Sequence, residues 1–226
     1  MTTVHAVYTT TDLSWWQRVA PILGFSPTGE PGRYTGGGQL TVHETTEATA
    51  AGTTHLDILV TDPSAALATA ETVATVAEPA VGATDGTTIT VSPAVEDSPT
   101  PTLASGQTQV AIMPIWYGPD PDEPTAILTG LGLQPRLASD SGNWKDFTAD
   151  GGGQVAWHRA PSVALELALE HSGDLDALST RLSEAGVRAT VVDEAYNRTL
   201  LVQIPDGHQL WVNGTQDDLY GYHCAG

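Results

Sequence analysis

The chain has 226 residues, 40% of them hydrophobic and 15% charged, a globular composition long enough for one large or two small cores. Its net charge is -19, with Lys145 the single lysine, so it repels phosphate backbones and nucleic acid is not an expected partner. One cysteine, Cys224, allows no intramolecular disulfide, and there is neither a basic-then-apolar leader nor an apolar run of membrane-spanning length. These features point to a soluble, cytoplasmic protein with no membrane partner.

One stretch occurs twice. Gly36-Gly37-Gly38-Gln39 ends at His43, and Gly151-Gly152-Gly153-Gln154 ends at His158. A repeat this long marks two copies of one domain rather than a solenoid.

The first copy opens with a strand over residues 4–10. Thr11-Asp12 then precedes Leu13, Trp16, Val19 and Leu23 at helical spacing, with Gly24 as the stop. Pro21 is expected to kink or shorten this helix. Strand returns from Tyr34 to His43. His55–Val60 reads as a strand, and Asp62-Pro63 as a helix cap with proline at the first position. That helix is expected to run to about Ala77, followed by the Asp85-Gly86 turn and a strand from Thr87 to Val91. Residues 92–108 are rich in proline, serine and threonine, a linker by composition. The second copy repeats the plan. A strand lies at Val110–Tyr117, a helix bears Ile127, Leu128 and Leu131, and strand runs from about Lys145 to His158. Then come a strand at Ser162–Glu170, a helix with Leu175, Leu178 and Leu182, and two strands flanking Pro205-Asp206-Gly207. The tail has no period.

The order of these pieces resembles the vicinal oxygen chelate superfamily of glyoxalases, bleomycin-resistance proteins and extradiol dioxygenases. The resemblance rests on His5–Leu13 with Leu23-Gly24-Phe25, on Leu131-Gly132-Leu133, and on Asp174–Leu178, Glu184–Val187, Arg198-Thr199-Leu200 and Pro205–His208. It implies an α+β fold of four βαβββ units in two tandem glyoxalase-like domains with curled mixed sheets. The domains would be residues 1–91 and 109–214, with a linker at 92–108 and a tail at 215–226.

Metal enzymes of this superfamily place His or Gln on a unit's first strand and Glu on its last, pointing into a cup. In the first copy those positions are His5 and His55, with His43 and Glu44 as further candidates, while the closing position is Thr90. The implied cofactor is either none or one divalent ion (Fe, Mn, Ni or Zn). In the second copy the corresponding positions are Met113, Glu166 and Trp211, of which Met113 and Trp211 suit an apolar wall better than a hard ion. Met113, Tyr117, His158 and Trp211 are the candidate ligand-binding residues, and Glu166 the candidate acid or base should it be buried. Trp15, Trp16, Trp116 and Trp157 read as core.

Two functions follow from this reading. One is a glyoxalase/bleomycin-resistance-like protein binding a small, partly aromatic or apolar molecule such as a drug or metabolite. The other is a divalent-metal-dependent lyase, isomerase or ring-cleaving dioxygenase working from the first copy. The chain would be a monomer or homodimer. Phosphate-loop, dinucleotide and nucleophile-elbow motifs are absent.

Overall fold

The computed structural model describes residues 1–77, 79–94, 110–194, 197–216 and 218–225. The first unit is β1 (Thr2–Thr10), α1 (Leu13–Leu23), β2 (Ser26–Pro27), β3 (Arg33–Gly36) and β4 (Gly38–Glu44). The second is β5 (Thr54–Val60), α2 (Pro63–Ala70), β6 (Thr75–Ala77), β7 (Ala80–Gly82) and β8 (Thr88–Pro93). In the third, the opening strand is broken into β9 (Val110–Ile112) and β10 (Ile115–Gly118). It is followed by α3 (Asp122–Gly130), β11 (Gln134–Ser139), β12 (Trp144–Thr148) and β13 (Gln154–Arg159). The fourth opens with β14 (Ala164–Glu166) and β15 (Ala168–His171). It continues through α4 (Leu175–Glu184), β16 (Ala189–Asp193), β17 (Arg198–Gln203) and β18 (Gln209–Gly214), and a last strand, β19 (Tyr222–Cys224), follows.

Local chemistry sets the helix ends. The Asp12 carboxylate accepts from the Trp15 amide at 2.9 Å, and Asp62 from Ala65 at 3.0 Å, so each caps its helix. Pro21 lies in the last turn of α1, which ends two residues later at Leu23 with left-handed Gly24 as its cap. The second helix is shorter than its composition suggests. It ends at Ala70, and Thr75–Ala77 is strand β6 rather than helix; Thr72, Val73, Thr75 and Val76 are β-branched and favour extended backbone. The strand β8 runs to Pro93, two residues into the expected linker, of which 95–108 lie outside the described residues.

Each copy builds its own sheet. In the first the order is β2-β3-β4-β1-β5-β8-β7-β6, and the two units join where β1 runs antiparallel to β5, with His5 opposite Asp57. The cup therefore forms within a copy. The second copy has the same plan, split in two at the break Met113-Pro114 and at Leu167. One part is β14-β10-β13-β12-β11-β19 and the other β16-β17-β18-β15-β9. Proline carries no amide hydrogen, so Pro114 removes a rung at the position that Ala6 fills in the first copy.

The copies pack through their helices, α1 on α4 and α2 on α3, and one continuous apolar core runs through both. The glycine repeat sits where they touch. Gly37 donates to the Val110 carbonyl at 2.8 Å and accepts from Ile112 at 2.7 Å. Reciprocally, Gly151 donates to the Thr2 carbonyl at 2.7 Å and Gly152 accepts from Val4 at 2.9 Å. Each copy's glycine turn is thus bonded to the other copy's first strand. Side chains would prevent this: a Cβ on Gly153 would lie 2.6 Å from Val4 Cβ, and one on Gly37 would lie 2.8 Å from Ala111 Cβ. The repeated triplet is a packing device for the pair.

The tail has structure that its sequence hides. The strand β19 adds to the sheet edge at β11, with Leu137 opposite Cys224, and His223 Nδ1 lies 2.8 Å from Asp140 Oδ1. No helix among the described residues is long and apolar enough to cross a membrane.

Candidate functional site

Strand alternation gives each sheet a helix-side row and a cup row. In the first copy Val4, Ala6 and Tyr8 of β1 face the helices and are buried in the core, while His5, Val7 and Thr9 face the cup. His5 sits at the centre of a hydrogen-bonded chain across three strands. Its Nδ1 lies 3.2 Å from Asp57 Oδ2 and its Nε2 lies 2.8 Å from Thr41 Oγ1.

The residues expected to hold a metal are not gathered. His55 pairs with Val7, one pleat away from His5, and His43 pairs with Thr9. Four residues along β1 separate that position from His5, about 13 Å, whereas nitrogens sharing one ion lie within about 4 Å of each other. Glu44 is on the opposite face of β4 from His43, and its carboxylate faces the Leu13 amide at the start of α1 at 3.4 Å. Both ring nitrogens of His5 already have partners. Among the described residues no three His, Cys, Asp or Glu side chains come close enough to hold an ion. The four residues read as a ligand set, His5, His43, Glu44 and His55, are therefore not gathered at one point in this structure.

The second copy has the same registers and a different lining. Met113 stands at the His5 position, Glu166 at the His55 position and Trp211 at the Thr90 position, as the pairings Ile115–Glu166 and Ala168–Trp211 show. Met113, Ile115, Ala156 and Ala168 form a small apolar cluster separate from the main core, and Tyr117, Trp144 and Trp211 pack around it half-buried. His158 completes the wall. Its ring centroid is 5.6 Å from that of Tyr117 and 6.0 Å from that of Trp144. The four expected ligand-binding residues thus share one cup with an apolar floor and aromatic sides. Trp144 was not expected there. Its alternation with Asp146 and Thr148 on β12, opposite His158 and Gln154, is the signal that places it.

One end of this cup is ionic. Arg136 binds Asp146 through Nε at 2.7 Å and Glu170 through Nη2 at 2.7 Å, and the Trp144 indole donates to Asp146 at 3.0 Å. Gln154 donates to Glu170 at 2.9 Å. Burial works against the Arg136 charge, but the hydrogen bonds to the two carboxylates outweigh it and hold the guanidinium protonated. Tyr222 of β19 and Met113 help line a cavity of about 30 Å³ beside this network, room for about one water. The tail therefore closes this end of the cup, and burial together with nearby Asp146 pushes the Tyr222 phenol up.

Glu166, expected to be an acid or base if buried, is exposed. It faces a cleft of about 870 Å³ where the two copies meet, lined also by His55, His208 and Trp211. The cleft opens because β14 leaves the second sheet: β15 pairs with β18, but β14 pairs only with β10. Across the same junction the Pro205-Asp206-Gly207 turn clasps the first copy. Asp206 accepts from the Thr10 hydroxyl and from the Thr11 amide and hydroxyl, each at 2.7 Å.

No family model matches the sequence, and no curated protein matches it. Solved structures do. A catechol 2,3-dioxygenase matches with a TM-score of 0.60 over 95% of this chain and 87% of its own, at 14% identity. The Mn(II)-bound glyoxalase from Novosphingobium aromaticivorans matches at 0.55 over 95% and 81%, at 14% identity. The 2,2',3-trihydroxybiphenyl 1,2-dioxygenase from Sphingomonas wittichii matches at 0.53 over 98% and 93%, at 15% identity. At such identities the shared property is the fold alone: this chain has the two-copy α+β fold of those solved structures, the fold expected from the vicinal oxygen chelate resemblance.

Proposed function

We propose that the protein is a glyoxalase/bleomycin-resistance-like binder that holds a small, flat, partly aromatic molecule, such as a drug or metabolite, in the second copy's cup. The observation carrying this reading is the lining itself. At the positions where metal enzymes of this fold place ligands, the cup has Met113 and Trp211, with Tyr117, Trp144 and His158 as walls. Thioether and indole are poor ligands for hard ions, but they provide dispersion contact and stacking surface for a planar ring. Cups of this kind, apolar with a few fixed polar groups at one end, are the usual form of small-molecule sites. The alternative, a divalent-metal lyase, isomerase or ring-cleaving dioxygenase, needs ligands that His5, His43 and His55 do not bring together.

The test is a fluorescence titration with a library of flat aromatic molecules. A binder is expected to quench tryptophan emission saturably, and Tyr117→Ala or Trp144→Ala to weaken it about tenfold, the ~1.4 kcal/mol of one lost stacking contact. If no member of the library quenches, or if both variants bind every hit as the parent does, the reading fails.

A further inference from the structure

The cleft at the copy junction is a built cavity apart from the cup's floor, and the fold has a specific reason for it. In the first sheet β5 pairs with both β1 and β8 without interruption. In the second, the strand in the β5 position is broken at Leu167, and its leading half stays with β10 while β18 begins on the other side of a gap. The head of β5 and the loop before it close the opposite wall. His55 of the first copy and Glu166, its register equivalent in the second, consequently face one space of about 870 Å³, within the range for drug-sized ligands.

From this we infer that the junction cleft is a second binding site, selective for flat organic molecules carrying one positive charge. Leu165, Leu210 and Trp211 supply apolar and stacking surface. Among the described residues Glu166 is the one carboxylate in the lining, which contains no lysine or arginine. An exposed carboxylate and an indole lining the same cleft suit a planar cation, through ion pairing and cation–π attraction together. The net charge of -19 raises the local concentration of such a cation further. Neither copy could form this site alone, which gives the fused arrangement a use beyond packing.

Equilibrium dialysis with the acridine cation proflavine, at low salt, tests the inference on the full chain. Saturable binding is expected, with a component that depends on the cleft. Gln209→Arg places a positive charge at the exposed start of β18 in the cleft, and it is expected to weaken binding at least tenfold. Leu165→Trp, which fills the cleft, is expected to do the same, whereas Val73→Ala, an exposed residue outside the lining of both the cleft and the cup, is expected to change affinity less than twofold. Circular dichroism checks that each variant is folded. Absence of saturable binding overturns the inference. So does parent-like binding by both cleft variants, an equal loss in Val73→Ala, or equally tight binding of the anionic dye 1-anilinonaphthalene-8-sulfonate in competition with proflavine.

Discussion

At the scale of single residues, the two carboxylates at the ionic end of the second cup are held by one cation. Asp146 is 2% exposed, and together with Glu170 it depends on Arg136 for charge compensation. Breaking a buried pair from one side leaves an uncompensated charge. Arg136→Ala is therefore expected to lower stability by about 3 kcal/mol in urea denaturation, and a loss under about 1 kcal/mol would contradict the assignment. His171 offers a pH signature. It is buried at the end of β15, and burial, helped by the Arg181 charge, depresses its pKa below the ordinary 6.5. Below pH 6.5 the unfolded chain binds a proton that the folded chain refuses, so this group's contribution is present at neutral pH and lost as pH falls. In His171→Gln the drop in urea midpoint from about pH 7.5 to about pH 5.5 is expected to be shallower; an unchanged slope would remove His171 as a cause. These residue roles were partly legible. The superfamily resemblance and strand alternation together put Met113, Tyr117 and Trp211 in one row, but neither Trp144 nor the Arg136 network could be read, because their strand partners are set by a hairpin whose register the sequence does not show. That His5, His43 and His55 are not gathered could not be read for a related reason. Position within a motif resembles a ligand set, but coordination depends on distance across strands.

At the scale of elements, the glycine repeat was visible at once, whereas its purpose was not. A GGGQ run reads as a bend before a strand. That each run meets the other copy's first strand is a property of the assembled pair. The expectation is that Gly153→Ala destabilises by more than about 2 kcal/mol, since the backbone is left-handed there and Val4 stands in the way. Gly142 is the control. It too has positive φ, but nothing lies within 4 Å of where a Cβ would sit, so Gly142→Ala is expected to cost only about 1 kcal/mol. Equal losses in calorimetry would mean that the clash at the copy interface carries no weight. Helix starts were legible because Asp12 and Asp62 are adjacent to what they cap. The end of α2 and the split of the second sheet were less so, because alanine-rich sequence masks β-branched residues and one proline's effect depends on which strand it falls in.

At the scale of the whole molecule, the two copies share a single core through α1, α2, α3 and α4. Unfolding is therefore expected to be one transition, with tryptophan fluorescence and circular dichroism tracing the same urea curve; two separated transitions would show that the copies are independent. Sharing the core leaves each cup free to differ, and the difference is chemical: the first has a polar row of His5, Thr41 and Asp57, the second an apolar floor with aromatic walls. The most direct test of that division uses the indole N–H signals of the six tryptophans in a nitrogen-15 NMR spectrum. Titration with a bound aromatic hit is expected to shift the Trp144 and Trp211 signals and to leave those of buried Trp16 and Trp157 in place. Shifts confined to the first copy, or none at Trp144 and Trp211 while the ligand binds, would contradict the assignment of the second cup as the binding site.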